Sequence, residues 1–539
     1  MVRWYQPLLL LRIGARALLA TVIGGLADNR ELQATDSRDQ SNQWTFDTKD
    51  NELWVDFIAD TGDGWESSFA IASTAAQSAV LVDGERLPRA DLLLFGGDLV
   101  YPDPSLAAYE ERTLAPYQAA CEDQPPFSAD AFAVPGNHDW YDGLHAFQDI
   151  FCHDNSDHPQ WPLGHWRKPQ SHSYFSWQLP NGWWLLAPDI QLDDRLNPAQ
   201  RRYFESVVAH MQPGDRVIVI APYPHWSLIN PQTKGMAVRW LVGLCDSAGA
   251  NVRLMLTGDL HHYSRYCTDS DDLQLITSGG GGAFLHPTHQ LPEQLELDEQ
   301  TTLGAQECYP DAATSHRLSL RNLLFPVLNW QLSLFVGFVY TMLAWVLETR
   351  QLVGTESVSQ LFESVLIDHG GIGKTLNHVI TMVPKSPEFA LVVLLTGLGL
   401  TAFNENCSRT TRILLGGIHT LLHLVGMILT LCVALTITGW IYGHVEALSF
   451  SFFWFLLFMI VLGGGVGGTV IGIYLMVSLN LFGANLTNAF SSLRLASYKN
   501  FVRMKFDRNG DLVLYPLGID HPDGAQSQVH AIEPPIVIR

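Results

Sequence analysis

Basic residues are scarce in this chain: 32 Lys and Arg stand against 54 Asp and Glu in 539 residues, a formal charge of −22. No stretch gathers bases into a groove, which argues against nucleic acid as the main partner. Paired cysteines are missing too. The seven thiols, at positions 121, 152, 245, 267, 308, 407 and 432, are odd in number and lack a paired short spacing. Neither a disulfide framework nor a cysteine zinc site is expected, and a reducing compartment is. Internal repeats and low-complexity tracts are lacking as well, which leaves no repeat array to consider. Oligomeric state has no signature in the sequence.

Beyond about residue 322 charge itself thins out, and long apolar stretches follow at 327–347, 387–403, 413–442 and 450–482. None carries Lys, Arg, Asp or Glu in its middle, and a helix needs about 20 such residues to cross a hydrocarbon core about 30 Å thick. About four membrane helices in an all-α bundle are expected over 323–485, the second being the shortest. In the fourth, Gly463, Gly464, Gly465, Gly467, Gly468 and Gly472 fit either one long tilted helix or a kinked pair. Bases at Arg317 and Arg321, at Arg409 and Arg412, and at Arg494, Lys499, Arg503, Lys505 and Arg508 place the amino-terminal domain and the tail in the cytoplasm by the positive-inside rule. The 350–388 connection then lies outside. His419 and His423, four residues apart on one helix face, are polar groups at membrane depth; bonding to neighbouring helices, with Asn329 and Gln331 as candidate partners, would account for them equally.

The start of the chain resembles a signal peptide poorly, because Arg12 and Arg16 interrupt its apolar run. An amphipathic helix over residues 1–30 is expected instead, lying on the membrane or on the soluble domain. A soluble α/β domain follows over 31–322, and a tail over 486–539. In that tail Asn509-Gly510 reads as a hairpin turn, and the hairpin is expected to fold back onto the soluble domain.

Within the soluble part, five clusters of metal-ligand residue types follow apolar runs bounded by Gly, Pro and Asp. The run 53–58 leads to Asp60, 92–95 to Asp98 and Tyr101, and 131–134 to Asn137, His138 and Asp139; 217–220 leads to His225, and 252–256 to Asp259 and His261. Such runs read as buried strands, and open α/β sheets place ligands beyond the carboxyl ends of their strands, so the clusters should converge. Carboxylates, an amide, imidazoles and a phenol suit two cations held about 3.5–4 Å apart, a pair that activates water and clamps a phosphate for in-line attack. Asp98, with two oxygens, is the candidate bridge. His138 is the candidate acid for the leaving group, with Asp139 as its orienting partner and Asn137 as a phosphate-holding group. Asp56 and Asp63 are rival ligands; strand alternation and the glycine after it favour Asp60. His286 and His289, near the Gly279-Gly280-Gly281-Gly282 run, are read as structural, and the glycines as a turn rather than a phosphate cradle.

The ordered blocks Asp60-Thr61-Gly62, Gly97-Asp98-Leu99-Val100-Tyr101, Gly136-Asn137-His138-Asp139, His225 and Gly258-Asp259-Leu260-His261 resemble the calcineurin-like metallophosphoesterase superfamily. Gly62 and Tyr101 look like its purple acid phosphatase branch. The resemblance implies a four-layer αββα sandwich covering about residues 50–290. It also implies one metal on Asp60, Asp98, His261 and Tyr101, and a second on Asp98, Asn137, His225 and position 259. The two ions are expected among Mn, Fe, Mg and Zn. Asp259 stands where the family has histidine; a carboxylate there favours Mn, Mg or Fe over softer partners, unless His262 replaces it. The expected protein is a multi-pass, membrane-anchored metal-dependent phosphoesterase with two metal ions. Its substrate is expected to be a phosphomonoester or phosphodiester, with an amphiphilic one suggested by anchoring and by Trp161, Trp166, Trp177, Trp183 and Trp184 as an interfacial cluster. The alternative is a membrane sensor or transporter regulated by a ligand-binding domain of this type.

Overall fold

Side chains alternate across the Leu53–Ile58 strand, and that alternation sets the layering of the molecule. Leu53, Val55 and Phe57 enter one core, while Trp54 and Ile58 enter another. The computed structural model describes residues 1–14, 43–47, 52–152, 161–190, 194–226, 235–297, 301–349, 387–443 and 450–539. The chain divides into two compact units. One comprises Met1–Val2, Arg12–Ser315 and Arg494–Arg539, the other Arg3–Leu11 and His316–Leu493.

The first unit holds two large mixed sheets. In one, Leu53–Ile58, Leu92–Phe95 and Ala129–Ala133 run parallel. In the other, Trp183–Ala187, Arg216–Ala221, Asn251–Thr257 and Gln274–Ser278 run parallel. Val55, Phe57, Leu94 and Phe132 of the first sheet meet Trp177, Leu185, Ile218 and Leu256 of the second in a buried core between them. The opposite face of the first sheet is covered by helices Trp65–Ala76, Ala115–Cys121 and His145–Phe151. That of the second is covered by Pro198–Val208 and Met236–Ser247. The result is the expected four-layer αββα arrangement. Because the parallel strands share a direction, their carboxyl ends open along common edges.

The hairpin of the tail is built into this sandwich. Lys499–Phe506 pairs antiparallel with Leu53–Ile58, Arg503 opposite Asp56, and Leu512–Ile519 pairs in turn with Lys499–Phe506. Gly510 sits at φ +90°, the left-handed backbone that glycine adopts without a Cβ clash. Two features depart from the sequence reading. Trp166, Trp177, Trp183 and Trp184 are buried in the cores and Trp161 packs half-buried against one of them, so they form no interfacial cluster; aromatics in strands serve a core as readily as an interface. Lys499 and Arg503, expected as bases beside the membrane, are fully buried strand residues of the sandwich.

The second unit is helical. Arg409–Tyr442 and Phe450–Phe482 are long and apolar enough to cross a membrane, with mean hydropathy 2.3 and 2.2. The segments Ala312–Leu328 and Trp330–Trp345 are bent by 60° and make a third span only if taken together; Pro387–Phe403, at 17 residues, is shorter. By length and composition the described residues therefore hold two spans, or three, rather than four. Phe450–Phe482 runs unbroken through its glycines, which admit close neighbours: a Cβ on Gly467 would lie 2.4 Å from Val336 Cγ1. At the amino terminus residues 7–14 are helical. Residues 1–6 are not helical, so the helix expected over 1–30 starts later; its residues 15–30, and nearly all of the 350–388 connection, lie outside the described residues.

Candidate metal centre

Asp60, Asp98 and Asp259 each follow a buried parallel strand, and each takes a left-handed backbone, with φ of +60°, +48° and +68°. Aspartate tolerates this region better than most residues, and such conformations gather at functional sites. The turns are crowded to a degree that only glycine allows. A Cβ on Gly136 would lie 2.0 Å from Asp98 Oδ1, and one on Gly258 2.6 Å from Asp60 Oδ2.

The Tyr101 hydroxyl stands 3.0 Å from Asp60 Oδ1, 3.2 Å from Asp98 Oδ2 and 3.1 Å from His261 Nε2. His261 Nδ1 lies 2.7 Å from the Phe284 carbonyl, which can only accept, so Nδ1 carries the proton and Nε2 presents its lone pair. One phenolic proton thus faces three acceptors; Asp60 Oδ1 also takes the Asp259 backbone N–H at 3.1 Å, and Asp98 Oδ2 and His261 Nε2 cannot both receive the phenol's hydrogen. The Asn137 amide reaches Asp98 as well: with its nitrogen turned inward it donates to Oδ2 at 2.9 Å and Oδ1 at 3.2 Å, and its oxygen accepts from the Tyr141 hydroxyl. Two buried carboxylates and an imidazole lone pair crowded about one phenol are what a cation stabilises, and the donor set of carboxylates, amide, imidazole and phenol suits hard or borderline ions. The residues fit a metal site in chemistry. In arrangement they stand as hydrogen-bonded pairs, and no three His, Cys, Asp or Glu side chains among the described residues close into a single shell.

The electrostatics agree with an excess of negative charge. Burial, then the charges of Asp98 and Asp259, push the Asp60 carboxyl well above its ordinary range. Burial and Asp259 do the same to Asp98. Burial also holds His261 well below the usual imidazole range and brings His138 and His225 down to about 4.

The remaining expected residues sort clearly. Asp259 donates its backbone N–H to Asp60 at 2.9 Å, and its charge acts on Asp60, Asp98, Tyr101 and His138. His225 is buried beyond Arg216–Ala221, its Nδ1 without a partner; among the described residues no hydrogen bond or ion pair joins it to the cluster. His138 donates its backbone N–H to Asp98 Oδ1 at 2.9 Å, and its Nδ1 lies 2.7 Å from the Pro102 carbonyl. That carbonyl takes the place expected of Asp139. Asp139 turns away to accept the backbone N–H groups of Leu99 and Gly136 and the Tyr109 hydroxyl, pinning two ligand loops together.

The rival carboxylates are occupied elsewhere. Asp56 is clasped by Arg503, and Asp63 accepts from the backbone N–H groups of Val2 and Phe284. His262 is buried with both ring nitrogens unpartnered. His286 stacks on His261 with ring centres 4.1 Å apart and accepts the His261 backbone N–H, while His289 Nδ1 lies 2.8 Å from Ser315 Oγ. One contributor escaped sequence reasoning. Lys499, from the tail hairpin, is buried with its ammonium on the Ala283 carbonyl. Burial lowers it to about 7 against the charges of Asp63 and Asp60. The hairpin turn signal was its only trace in the sequence.

Residues 53–263 match the family model described as calcineurin-like phosphoesterase. No curated protein matches the chain. Among solved structures it is similar to GAP50, the anchor in the inner membrane complex of Plasmodium, at 13% identity over 47% of this chain and 78% of that one, TM-score 0.34. It is also similar to the purple acid phosphatase PPD1 of yellow lupin (Lupinus luteus) seeds, at 14% identity over 48% of each chain, TM-score 0.30. A dimetal phosphatase from Danio rerio is 13% identical over 47% of this chain and 99% of its own, TM-score 0.26. At these scores the likenesses add nothing to the family match.

Proposed function

We propose that the calcineurin-like phosphoesterase domain of this chain, residues 53–263, hydrolyses a phosphomonoester or phosphodiester at a two-cation centre. The tail hairpin, paired with the first of its strands, is part of that machinery. The observation that carries the reading is the Tyr101 hydroxyl, whose single proton is surrounded by Asp60, Asp98 and His261. Bound cations would supply Lewis acidity to the phosphate oxygens and acidify the attacking water. Asp60, Tyr101 and His261 would hold one, Asn137, His225 and Asp259 the other, and Asp98 would serve both.

The chain's own groups do the rest. His138, fixed through its backbone N–H on Asp98 and its Nδ1 on Pro102, leaves Nε2 to carry the proton exchanged with the leaving oxygen. Asn137 orients the phosphate. Asp139 acts on neither; it holds the Leu99 and Gly136 backbone and so keeps the Asp98 and Asn137 loops in register. Carboxylates this deeply buried tolerate their charge only with a cation between them.

In the same reading the two spans Arg409–Tyr442 and Phe450–Phe482 anchor the protein in a bilayer, with the phosphoesterase domain and the carboxyl terminus in the cytoplasm. Anchoring favours an amphiphilic phosphoester as substrate. The test uses the full-length protein in detergent. Elemental analysis should find bound metal, chelation should abolish hydrolysis of a phosphoester panel, and Asp98→Asn should abolish it with near-UV circular dichroism unchanged. Full activity in metal-stripped protein overturns the reading, and equal rates on soluble and lipid phosphoesters overturn the substrate class.

A further inference from the structure

The helical unit contains a cavity of about 330 Å³, in the range of small-ligand pockets. Its wall is made by Phe335, Val339, Leu343, Val393, Leu400 and Leu424 among other apolar groups, with His419, His423 and Tyr340 at one side. Among the described residues no Lys, Arg, Asp or Glu lines it. An ionic headgroup would therefore enter without a counter-charge, at a cost no part of the wall offsets.

The polar side is an ordered relay. The Tyr340 hydroxyl lies 2.7 Å from His423 Nδ1, His423 Nε2 lies 3.1 Å from His419 Nε2, and the His419 ring stacks on Tyr474 with centres 3.8 Å apart. The relay stops there. His419 is buried, with 1% of its surface exposed, and its Nδ1 has no partner. The hydroxyl of neighbouring Thr420 is satisfied within its own helix, donating to the Gly416 carbonyl. An imidazole nitrogen left unpaired in such surroundings keeps its full desolvation cost.

The proton count says what would complete it. With both imidazoles neutral, each ring carries one hydrogen. If Tyr340 donates to His423, then His423 donates to His419, and His419 Nδ1 is left as a donor. If the chain runs the other way, His419 Nδ1 is left as an acceptor. A hydroxyl serves both states; a carbonyl or ether serves one, and a hydrocarbon neither. We propose that this cavity binds a long-chain alcohol, an apolar molecule with one uncharged hydroxyl that bonds to His419 Nδ1. The proposal does not rest on the phosphoesterase reading.

The experiment is photolabelling of the full-length protein in phosphatidylcholine nanodiscs with a diazirine-bearing, alkyne-tagged hexadecanol. Label is expected on peptides from Trp330–Thr349, Pro387–Phe403 and Arg409–Tyr442. Hexadecanol should displace it at about tenfold lower concentration than hexadecane or palmitate. His419→Phe, which keeps the ring and removes the nitrogen, should weaken labelling about tenfold. Gly399→Phe is the second variant: Gly399 lines the cavity, and a Cβ there meets nothing within 4 Å, so the new ring fills the space without a backbone clash and should abolish labelling. Both should keep the thermal transition of the parent. Equal displacement by hexadecane, undiminished labelling of folded His419→Phe, or undiminished labelling of folded Gly399→Phe would each overturn the assignment.

Discussion

Arg503→Met should destabilise the two-sheet sandwich far more than any surface substitution. Arg503 and Asp56 are 0% and 1% exposed, on adjacent strands. The guanidinium donates through Nε and Nη2 to the two carboxylate oxygens, both at 2.7 Å, and through Nη1 to the Pro88 carbonyl at 2.8 Å. Removing the cation leaves a buried carboxylate with no partner of opposite charge, and breaking such a pair from one side costs about 3–5 kcal/mol. For a domain of this size the melting temperature should fall on the order of 10 °C. The double variant Asp56→Leu/Arg503→Met removes both charges together and should return to within about 1 kcal/mol of the parent. The assay is denaturant unfolding of the full-length protein in detergent, followed by near-UV circular dichroism of the buried tryptophans. A cost below about 1 kcal/mol for the single variant, or a double variant as unstable as the single one, would refute the reasoning. The double variant should also keep its hydrolytic activity, since Asp56 is not assigned to the metals; loss of activity in the folded double variant would return Asp56 to the ligand set.

Tyr101→Phe removes the hydroxyl shared by three acceptors and should lower metal affinity by about 10–100-fold, read as metal occupancy against a chelator series. Unchanged occupancy would take the phenol out of the site. In chelated protein Asp98→Asn should be stabilising at neutral pH while abolishing hydrolysis in the metal-loaded protein. Because burial and Asp259 raise the folded Asp98 carboxyl, its protonation supports the fold fully below the ordinary value of about 4, and that support is lost as pH rises through the raised one. The melting-temperature gap between Asp98→Asn and the parent should therefore widen from pH 4 to 8; a gap that narrows or reverses contradicts the cluster's charge. His138→Asn should slow alkyl phosphates by roughly 10²–10⁴-fold and p-nitrophenyl phosphate much less, because a good leaving group needs no proton. Equal losses on both would remove His138 from that role.

The positions of the donors were legible because two short-range rules agree at each of them. Apolar runs bounded by Gly, Pro and Asp mark buried parallel strands, and a shared chain direction puts the residues after each strand at one edge; Asp60, Asp98, Tyr101 and His261 meet as those rules require. Which way a side chain turns inside a tight turn is another matter. Asp139 sits beside His138 in sequence yet bonds the Leu99 and Gly136 backbone, because a buried carboxylate goes where unpaired N–H groups are. Pairing across hundreds of residues was equally hidden. Lys499 and Arg503 come after the last long apolar helix and so resemble bases at a membrane face, while the strand that holds them pairs through Val502–Phe506 with residues 53–57. Hydropathy reads a window and is blind to such pairing.

The glycine run 279–282 joins these two kinds of information. Its composition reads as a turn, yet none of its four residues has a positive φ. What the run needs is space. A Cβ on Gly279 would lie 2.4 Å from Asp60 Oδ2, one on Gly280 2.2 Å from Asn500 Nδ2 and 2.4 Å from its backbone nitrogen, one on Gly281 2.4 Å from the Ala59 carbonyl oxygen, and one on Gly282 2.3 Å from Ser68 Oγ. The run is therefore a seam where the turn after Gln274–Ser278 presses against both the Asp60 loop and the tail hairpin. Asn500 N donates to the Gly280 carbonyl at 3.1 Å, and Ser278 Oγ donates to Asn500 Oδ1 at 2.9 Å. Gly280→Ala must push the hairpin backbone away, since its obstacle includes main chain that no rotamer change relieves. It should lower both the melting temperature and metal affinity, and Asn500→Ala introduced with it should restore little, because the backbone nitrogen remains. Recovery of parental stability in that double variant would show the clash to be side chain alone and the seam to be looser than its distances state.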